Sequence, residues 1–570
     1  MAKHTGSART ISVIIFAMVC IKMSLGQTTF YVDPAFSGSR NGSASKPWQS
    51  LSDNVTPSPW SSINAALANG AVTVYFSATG SSTAQIGYGA RTDKSSNVLT
   101  LDGISLKDAN SASPSWTTNV TPSPCNYDAP NCAWASAPKF TITANTPFTG
   151  TDNRSNCVGN FVFQGFTVHN TEGQSADLTY THDLIFQYND VSRVATGSYG
   201  PGIIVGPGQN GPCQSSSGVF SGPDNVTIQY NYVHATWGEC IYIGASTSDP
   251  PGYGGTDGEY TSSGLTCKNN CPTGANYLVQ GNVIESCASW GGQGDGTDVK
   301  DGHVNLQVIG NIYRTTKACT NCGNNTCSAD GVPGPGCDGQ GPLFESGALV
   351  ANNYIESPGH QCIAVYSSWN NTAGRQGMTV ENNICVNANS GAGSNTAYHW
   401  WAPTILEGVT PPAWNQVNFY DNTAYNVGLS TNDACIQIDS GGSGNGTNPS
   451  NSAIVENNIV STCGGPGLQT VAGIISLHDY NDYYNTFSCT SEPHGICSNP
   501  QFVSTSTPYV DANFALQGSS PAAGAGANLS ASFTTDYFGN TRTVPWDMGA
   551  IGGTSGGPPN PPSALVVTVD

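Results

Sequence analysis

A lysine flanked by carboxylates stands near the middle of this chain. The segment Gly296-Thr-Asp-Val-Lys-Asp-Gly302 places Lys300 between Asp298 and Asp301. Lysine and arginine together number only 17 in 570 residues, so a lysine between two carboxylates is unusual in this chain. An amine can take a proton from an acidic C–H group when positive charge stabilises the product, and grouped carboxylates can bind a divalent cation. The segment is therefore a candidate for acid–base chemistry.

Two other segments, Gly238–Gly244 and Gly341–Gly347, share the Gly-x5-Gly form of the lysine segment. Period-two alternation along a strand directs Val299 inward and Asp298 outward. Alignment of the glycines then predicts one outward column, in which stacked neighbours lie about 4.8 Å apart. The members of this column are Tyr242, Lys300 and Glu345.

The same residues also have a plainer interpretation. Asp298 and Lys300 can form a surface ion pair, and Glu345 can pair with Lys300 across two strands, each pair contributing little free energy. The sequence leaves three roles open for this segment: catalysis, ligand binding without chemistry, and a structural ion pair.

The elements that must position these side chains belong to a repeat. Strand-like phrases with alternating apolar and polar residues end on an asparagine, as in Val-Thr-Ile-Gln-Tyr-Asn231. Asparagine suits a turn because it tolerates unusual backbone angles and its amide can bond backbone groups. Steps of 29 to 51 residues between copies predict coils of just under 30 residues with inserted loops. The copies end on Asn189, Asn231, Asn282, Asn311, Asn353, Asn383, Asn422 and Asn458.

The Asn phrase alternates with Gly-x5-Gly strands, so we expect two strand types in each coil. Such stacked coils form a parallel β-helix, in which the asparagine side chains can make a ladder. Hairpins of a β-sandwich would instead show Asn-Gly or Asp-Gly turns every 8–12 residues or so. The longer period favours the β-helix.

These residues resemble the right-handed parallel β-helix, or pectin-lyase-like, superfamily of the secreted bacterial type. The opening segment around Phe30-Tyr-Val-Asp-Pro34 and the closing segment around Trp546-Asp-Met-Gly-Ala-Ile551 add to the resemblance, which covers about residues 28–552. The superfamily contains lyases, hydrolases and binding proteins, so the resemblance is specific for the fold and poor for the activity.

The resemblance implies a set of roles, since several pectate-lyase-like families combine a lysine or arginine base with carboxylate-bound Ca²⁺. Lys300 is expected to act as the base and Arg314 to neutralise the substrate. Asp298 and Glu345 complete the expected catalytic group. The expected substrate contacts are Tyr242 and His303, and the expected Ca²⁺ ligands are Glu239, Asp295, Asp298 and Asp301.

Charge and cysteine content indicate the compartment and the partners. The net charge of −20 argues against nucleic acid, because phosphate binding needs clustered Lys and Arg. An apolar run after Lys3 and Arg9 predicts a secretory signal peptide. Of 19 cysteines, Cys20 lies in that peptide, and the remaining 18 suit disulfides in an oxidising compartment. A disulfide-pinned loop is favoured over a zinc site for Cys319, Cys322, Cys327 and Cys337.

We therefore expect a secreted, all-β, right-handed parallel β-helix (solenoid) of about ten coils with Asn-bearing turns and inserted loops. The expected divisions are a signal peptide over 1–26, a β-helix domain over 27–551, and a Gly/Pro linker and tail over 552–570. Within the domain we expect an N-terminal region over 27–160, central coils over 161–500 and a closing segment over 501–551.

The favoured function is β-eliminative cleavage of an acidic polysaccharide with the help of Ca²⁺. The alternatives are a glycoside hydrolase of the same fold and a non-catalytic surface or carbohydrate-binding protein. We expect a monomer without a membrane span in the mature chain.

Overall fold

Three long parallel β-sheets run along a stack of coils. They are seen in a computed structural model. It describes residues 27–87, 90–92, 96–107, 116–118, 125, 127, 132–149, 158–171, 174–178, 181–193, 201–205, 225–236, 238–243, 274–287, 295–299, 303–314, 326–329, 332–335, 342–344, 348–357, 361–366, 378–388, 398–403, 417–428, 434–441, 453–470, 475–506 and 512–553.

Sheet I contains the strand that precedes each Asn turn, and thirteen of its strands lie in the described ranges. They are β1 Thr28–Val32, β2 Val72–Phe76, β5 Leu99–Asp102, β10 Val158–Gln164, β13 Thr181–Gln187, β16 Val226–Gln229, β19 Gly274–Gln280, β22 His303–Ile309, β27 Ala348–Ala351, β30 Met378–Glu381, β33 Val417–Tyr420, β36 Ala453–Glu456 and β39 Ile475–Asp479.

Sheet II contains the strand that follows each Asn turn, with twelve described strands. They are β3 Ser81–Ser82, β8 Phe140–Ala144, β11 Phe166–Asn170, β14 Asp190–Arg193, β17 Tyr232–His234, β20 Val283–Glu285, β23 Ile312–Arg314, β28 Tyr354–Glu356, β31 Ile384–Val386, β34 Thr423–Val427, β37 Ile459–Cys463 and β40 Asp482–Tyr484.

Sheet III contains the Gly-x5-Gly strands and their equivalents, with eleven described strands. They are β4 Ile86–Gly87, β9 Phe148–Thr149, β12 Ala176–Asp177, β15 Ile203–Val205, β18 Ile241–Ile243, β21 Thr297–Val299, β26 Pro342–Phe344, β29 Ile363–Tyr366, β32 Tyr398–Pro403, β35 Ile436–Gly441 and β38 Leu468–Thr470.

The other described elements are three antiparallel strand pairs and two helices. The pairs are β6 Ser105–Lys107 with β7 Trp116–Thr118, β24 Thr326–Ala329 with β25 Val332–Pro335, and β41 Phe502–Thr505 with β42 Ala512–Leu516. The helices are α1 Pro59–Leu67 and α2 Ala133–Ser136.

The parallel sheets confirm the expected β-helix fold, but each regular coil has three strands rather than two. The Asn phrase spans two of them, because its halves belong to sheets I and II. Two coils, from Phe166 to Asn189 and from Asn458 to Asn481, have 23 residues each, fewer than the predicted length. Inserted loops therefore account for more of the chain than the sequence pattern suggests.

The inward side chains of the three sheets form one apolar core along the stack. In β16, for example, Val226 and Ile228 are buried, whereas Thr227 and Gln229 face outward and are half-buried. Parallel pairing places each inward aliphatic residue on its equivalent in the next coil. Burial of apolar surface, at about 25 cal/mol per Å², is the main stabilising contribution of such a core.

A ladder of buried asparagines runs along the corner between sheets I and II. Each asparagine donates its backbone N–H and its side-chain amide to Oδ1 of the asparagine in the next coil, at 2.9 and 3.1 Å from Asn311 to Asn353. The side-chain amide of Asn353 also donates to Val308 O at 2.9 Å. All eight asparagines named from the sequence belong to this ladder, and Asn481 continues it.

The residue before each ladder asparagine adopts the left-handed backbone conformation. Its φ is 55° at Tyr230, 63° at Gly281 and 57° at Asn352. The sequence pattern predicts that the asparagine itself makes the unusual turn, but in the structure its predecessor does. Tyrosine adopts this conformation only at a cost, so the neighbouring ladder must help to hold the turn.

Other parts of the chain cover both ends of the stack. Helix α1 begins after Ser58, whose hydroxyl accepts the N–H of Ser61, and it buries Ile63 and Leu67 against the core. At the opposite end, the Glu492 carboxylate accepts the N–H and the side-chain amide of Asn481, each at 3.1 Å. This carboxylate takes the place of the amide oxygen that a further coil would supply.

Arg542 anchors the closing segment on the Asn corner. Its Nη2 donates to Asn382 Oδ1 at 2.7 Å, and its Nη1 lies 3.4 Å from Asp421 Oδ1. The guanidinium carbon also lies 5.3 Å from the centroid of the Trp546 ring, a favourable cation–π geometry. The closing segment is thus tied to the ladder by hydrogen bonds, charge and ring contact.

Three disulfides link neighbouring coils at the corner between sheets II and III. Cys240, Cys362 and Cys435 each stand immediately before a strand of sheet III. The partner of each belongs to the following coil, so each bond joins two adjacent coils. The pairs are Cys240–Cys287, Cys362–Cys385 and Cys435–Cys463.

Two further disulfides, Cys125–Cys132 and Cys489–Cys497, close short loops. The five bonds together indicate an oxidising compartment, in agreement with the expected secretion. The predicted cysteine loop is not tested, because Cys319, Cys322 and Cys337 and the side chain of Cys327 lie outside the described residues. In the described part of the chain, no helix is long and apolar enough to cross a membrane.

We predict that Asn353→Ala lowers the free energy of unfolding by about 3 kcal/mol, because the buried donors of Asn311 lose their acceptor. Urea denaturation followed by circular dichroism measures this change. Asn418→Ala, a half-buried position on the outer face of β33, is the control and should change stability by less than about 0.5 kcal/mol. Equal effects of the two substitutions would contradict the role of the ladder.

Two acidic side chains at the closing-segment anchor make stability depend on pH. Burial raises the pKa of Asp421 to about 7, although the Arg542 charge partly offsets it. Burial also raises the pKa of Glu381 to about 8, and Asp421 adds to this shift. Glu456 and Asp547 also act on Asp421, while Asn457 donates a hydrogen bond to it. Because both pKa values are raised, protonation of Asp421 and Glu381 favours the folded state. Their contribution to the free energy of unfolding is complete below about pH 4 and is lost as the pH rises through 7 to 8.

We predict that Asp421→Asn makes the fall in Tm between about pH 5 and pH 8 shallower than in the unmodified protein. Asparagine suits the backbone there, because Asn382 and Asn457 hold equivalent positions with similar φ. Differential scanning calorimetry over this pH range measures the effect. Asp183→Asn is the control, since the pKa of Asp183 is lowered and its loss should leave the fall in place. Superimposable profiles of Asp421→Asn and the unmodified protein would contradict the prediction.

Candidate functional site

The strands of sheet III stack in a register that differs from the predicted one. β18 pairs with β21 so that Tyr242 lies opposite Asp298. Alignment of the glycines predicts Lys300 at that position, so the predicted column is wrong by two residues at this step. At the next step Asp298 lies opposite Leu343, which agrees with the glycine alignment. The error arises because the backbone hydrogen-bond ladder sets the register, whereas the glycines flank strands with loops of different length.

Asp298 is fully buried, although it alternates with the inward residues of β21. Its neighbour Val299 belongs to the apolar core, and the hydroxyl of Thr297 lies 2.9 Å from the Tyr313 hydroxyl. The prediction of an exposed carboxylate is therefore wrong. Removing a carboxylate from water costs free energy unless hydrogen bonds, an opposite charge or a proton compensate for the lost hydration. A buried acid on the outward side of a strand is therefore unusual.

Glu239 and Asp295 occupy equivalent positions, two residues before β18 and β21. The N–H of Cys240 donates to Asp295 O at 3.0 Å, which holds the two segments in register. Asp295 is buried and Glu239 is half-buried. Carboxylates stacked on neighbouring coils repel each other, and a proton or a cation relieves that repulsion.

A calcium site is not formed by the described residues alone. Among them, no three His, Cys, Asp or Glu side chains lie close enough together to hold a metal ion. The fourth expected ligand, Asp301, lies outside the described residues, as do Lys300 and Glu345. Calcium therefore stays a prediction.

Two predicted members of the site lie on other sheets. His303 begins β22 of sheet I, opposite Gly274. Arg314 ends β23 of sheet II, opposite Glu285 of one neighbouring coil and Glu356 of the other. Adjacent strands are about 4.8 Å apart, so Arg314 stands between two carboxylates. The structure thus places Arg314 in a different polar group from the one expected.

This second group covers several coils on the outer face of sheet II. His234 Nε2 lies 2.9 Å from Asp190 Oδ1, and the Tyr232 hydroxyl donates to Glu285 Oε2 at 3.1 Å. The Tyr232 ring stacks on the rings of His234 and Tyr127, with centroids 4.0 and 4.1 Å apart. We call it the sheet II group. Its members are His169, Asp190, Tyr232, His234, Glu285, Arg314 and Glu356.

Burial and nearby charge shift the pKa values of His169 and Tyr232 in the sheet II group and of the neighbouring Lys139. Burial lowers the pKa of His169, and Asp190 partly offsets this. Burial lowers the pKa of Lys139 as well, again opposed by Asp190. Burial raises the pKa of Tyr232, and the adjacent Glu285 raises it further. Titratable groups that perturb one another in a half-buried place are candidates for acid–base work.

A signal for most of the sheet II group is present in the sequence. In four successive coils the third residue after the ladder asparagine is ionisable. Sequence reasoning missed this because it treated the residues after the asparagine as part of a turn rather than as a third strand. The four residues are His234, Glu285, Arg314 and Glu356.

No protein-family model and no curated protein sequence matches this chain. Among solved structures, the chain is similar to the pectate lyase Pel9A, at 13% identity and a TM-score of 0.38, over 93% of this chain and 97% of that one. It is similar to XylC in complex with xylose, at 9% identity and a TM-score of 0.44, over 92% and 98%. It is also similar to PfbA, a surface adhesin of Streptococcus pneumoniae, at 11% identity and a TM-score of 0.32, over 75% and 85%. At these identities the likenesses concern the fold alone, and membership of the pectin-lyase-like superfamily stays a prediction.

Proposed function

We propose that this protein is an extracellular enzyme that cleaves an acidic polysaccharide by β-elimination at sheet III. The observation that carries the proposal is Asp298, a fully buried carboxylate on the outward side of β21. The Glu239–Asp295 pair lies at the start of the same strands. Buried and half-buried acids grouped at neighbouring strands of a rigid sheet favour a functional site over a surface ion pair.

β-Elimination requires a base for the proton beside the uronate carboxylate, and positive charge for the electron-rich state that follows. Lys300 follows β21 directly and is two residues from Asp298, so it is the proposed base. Tyr242, opposite Asp298, is the proposed sugar contact. Arg314 has no part in this step because it lies on sheet II. A Ca²⁺ ion held with the help of Asp301 would supply charge stabilisation.

The five disulfides and the predicted signal peptide support an extracellular location. An acidic polymer meets a protein of net charge −20, so the attraction must come from local cations. Lys300 and a bound divalent ion would provide it at the proposed site.

A glycoside hydrolase is the second candidate, favoured by the sheet II group. Asp190 is held by His234 and Glu285 by Tyr232, so the two carboxyl groups have different environments. Glycoside hydrolysis uses two carboxyl groups, one as the general acid and the other as a base or nucleophile.

We predict that Lys300→Ala lowers kcat/KM on a uronate polymer by about 10²-fold or more, because the base is lost. The ultraviolet absorbance of the unsaturated product, recorded on pectate, alginate and glycosaminoglycans, measures the rate. Lys46→Ala, at an exposed lysine far along the chain from β21, is the control and should leave the rate unchanged. Unchanged absorbance with Lys300→Ala would refute the assignment of the base.

We also predict that a chelator abolishes the lyase rate and that added Ca²⁺ restores it. A chelator-resistant rate would remove calcium from the proposal. If reducing ends form without ultraviolet absorbance, and Glu285→Gln abolishes them, the hydrolase at sheet II replaces the lyase.

A further inference from the structure

The outward face of sheet I carries a row of glutamines on successive coils. Gln187 Nε2 donates to Gln164 Oε1 at 2.8 Å, and Gln229 Nε2 donates to Gln187 Oε1 at 2.7 Å. Gln164 Nε2 in turn donates to Asp102 Oδ2 at 3.0 Å. Parallel register places these side chains at the same point of each strand. We call them the Gln row.

A second row stands at the other end of the same strands. Asn225 Nδ2 donates to Asp183 Oδ1 at 2.7 Å, Asn276 Nδ2 donates to Asn225 Oδ1 at 2.8 Å, and Asn305 Nδ2 donates to Asn276 Oδ1 at 3.0 Å. Each of these residues has a positive φ, so the backbone makes the same local turn in these four coils. We call them the Asn row.

Between the two rows lies a floor of mostly aliphatic side chains. The coils of β13 and β16 carry members of both rows, and there the rows are four residues apart, a separation of about 13 Å in extended backbone. The register aligns the floor residues from coil to coil, and all of them are half-buried. The floor consists of Val162, Ile185, Thr227 and Leu278.

The two rows keep hydrogen-bonding capacity for a ligand. A side-chain amide has two N–H donors and an oxygen with two lone pairs, and a ladder bond on each side uses one donor and one lone pair. One donor and one lone pair therefore remain in each inner coil of the rows, as for Gln187 and Asn225. These remaining donors and lone pairs recur once in each coil, at a spacing of about 4.8 Å.

The face also carries few charged side chains, although the net charge of the chain is −20. The Gln row, the Asn row and the floor contain no lysine, arginine or glutamate. The rows contain two acids: Asp183, which lies 2.8 Å from His182 Nδ1, and Asp102, whose pKa is raised by burial. An acidic polymer meets no lysine or arginine of the rows or the floor on this face, whereas a neutral polymer needs only hydrogen bonds and apolar contacts there.

We propose that this face of sheet I binds a neutral linear polysaccharide that lies along the helix axis, with one sugar unit on each coil. A pyranose unit in an extended chain has nearly the length of the coil spacing, so successive units meet equivalent amides. The amide rows bond the hydroxyl groups at both edges of the chain, while the aliphatic floor packs against the C–H faces of the rings. This binding face is separate from the site proposed on sheet III and does not depend on it.

The test is affinity gel electrophoresis of the whole protein in hydroxyethylcellulose, arabinoxylan and galactomannan. We expect at least one neutral polymer to retard the unmodified protein, and Thr227→Glu to raise the Kd at least tenfold, because it puts a charge in the middle of the floor. Thr379→Glu is the matched control, since Thr379 lies on the same outer face in β30, beyond both amide rows. It should bind as the unmodified protein does. Gln187→Met, which adds no charge, should also weaken binding.

Two results would overturn the proposal: no retardation of the unmodified protein by any of the neutral polymers, or equal losses of binding in Thr227→Glu and Thr379→Glu. Thermal melts of each variant show whether a loss of binding reflects unfolding. Lys300→Ala should still bind the neutral polymer, and Thr227→Glu should still cleave a short uronate substrate if the lyase proposal holds. Failure of either proposal is therefore distinguishable from failure of the other.

Discussion

The structure depends on one constraint, which is that every coil must bond its neighbours in parallel register. Backbone ladders satisfy this within the sheets, and the asparagine ladder satisfies it at the corner where the chain changes direction. Each ladder oxygen accepts two donors from the adjacent coil, for example 3.0 Å from each nitrogen of Asn282 to Asn311. A buried amide of this kind stabilises the stack only when its partners are present, since a donor without an acceptor is costly. The donors of the last ladder asparagine, Asn481, therefore need an acceptor that no further coil supplies, and the Glu492 carboxylate is that acceptor.

The same register also organises the outer surface into rows. A side chain at a given point of one coil stands about 4.8 Å from its equivalent in the next, so any residue type that recurs becomes a column. Amides make the rows of sheet I, ionisable groups make the sheet II group, and acids gather at the start of β18 and β21. A binding surface or a catalytic group on this fold is consequently built from columns of side chains.

Part of the candidate site was predictable and part was not. The eight asparagines and the alternation around Val299 follow from local patterns that any half-buried strand must show. The column through Tyr242 and Lys300 was wrong, because glycines beside a strand do not determine which residues pair across it. The burial of Asp298 and the place of Arg314 on sheet II depend on side chains from other coils, which adjacent sequence does not report.

The sequence by itself determined the repeat, the parallel β-helix and the cysteines available for an oxidising compartment, because each of these rests on local periodicity or on composition. Only the tertiary structure decided that a coil has three strands, that the residue before the ladder asparagine makes the turn, and which side chains share a column. The physical reason is that loops of variable length separate equivalent residues. Backbone hydrogen bonds between coils then select the register, whatever the number of residues between them.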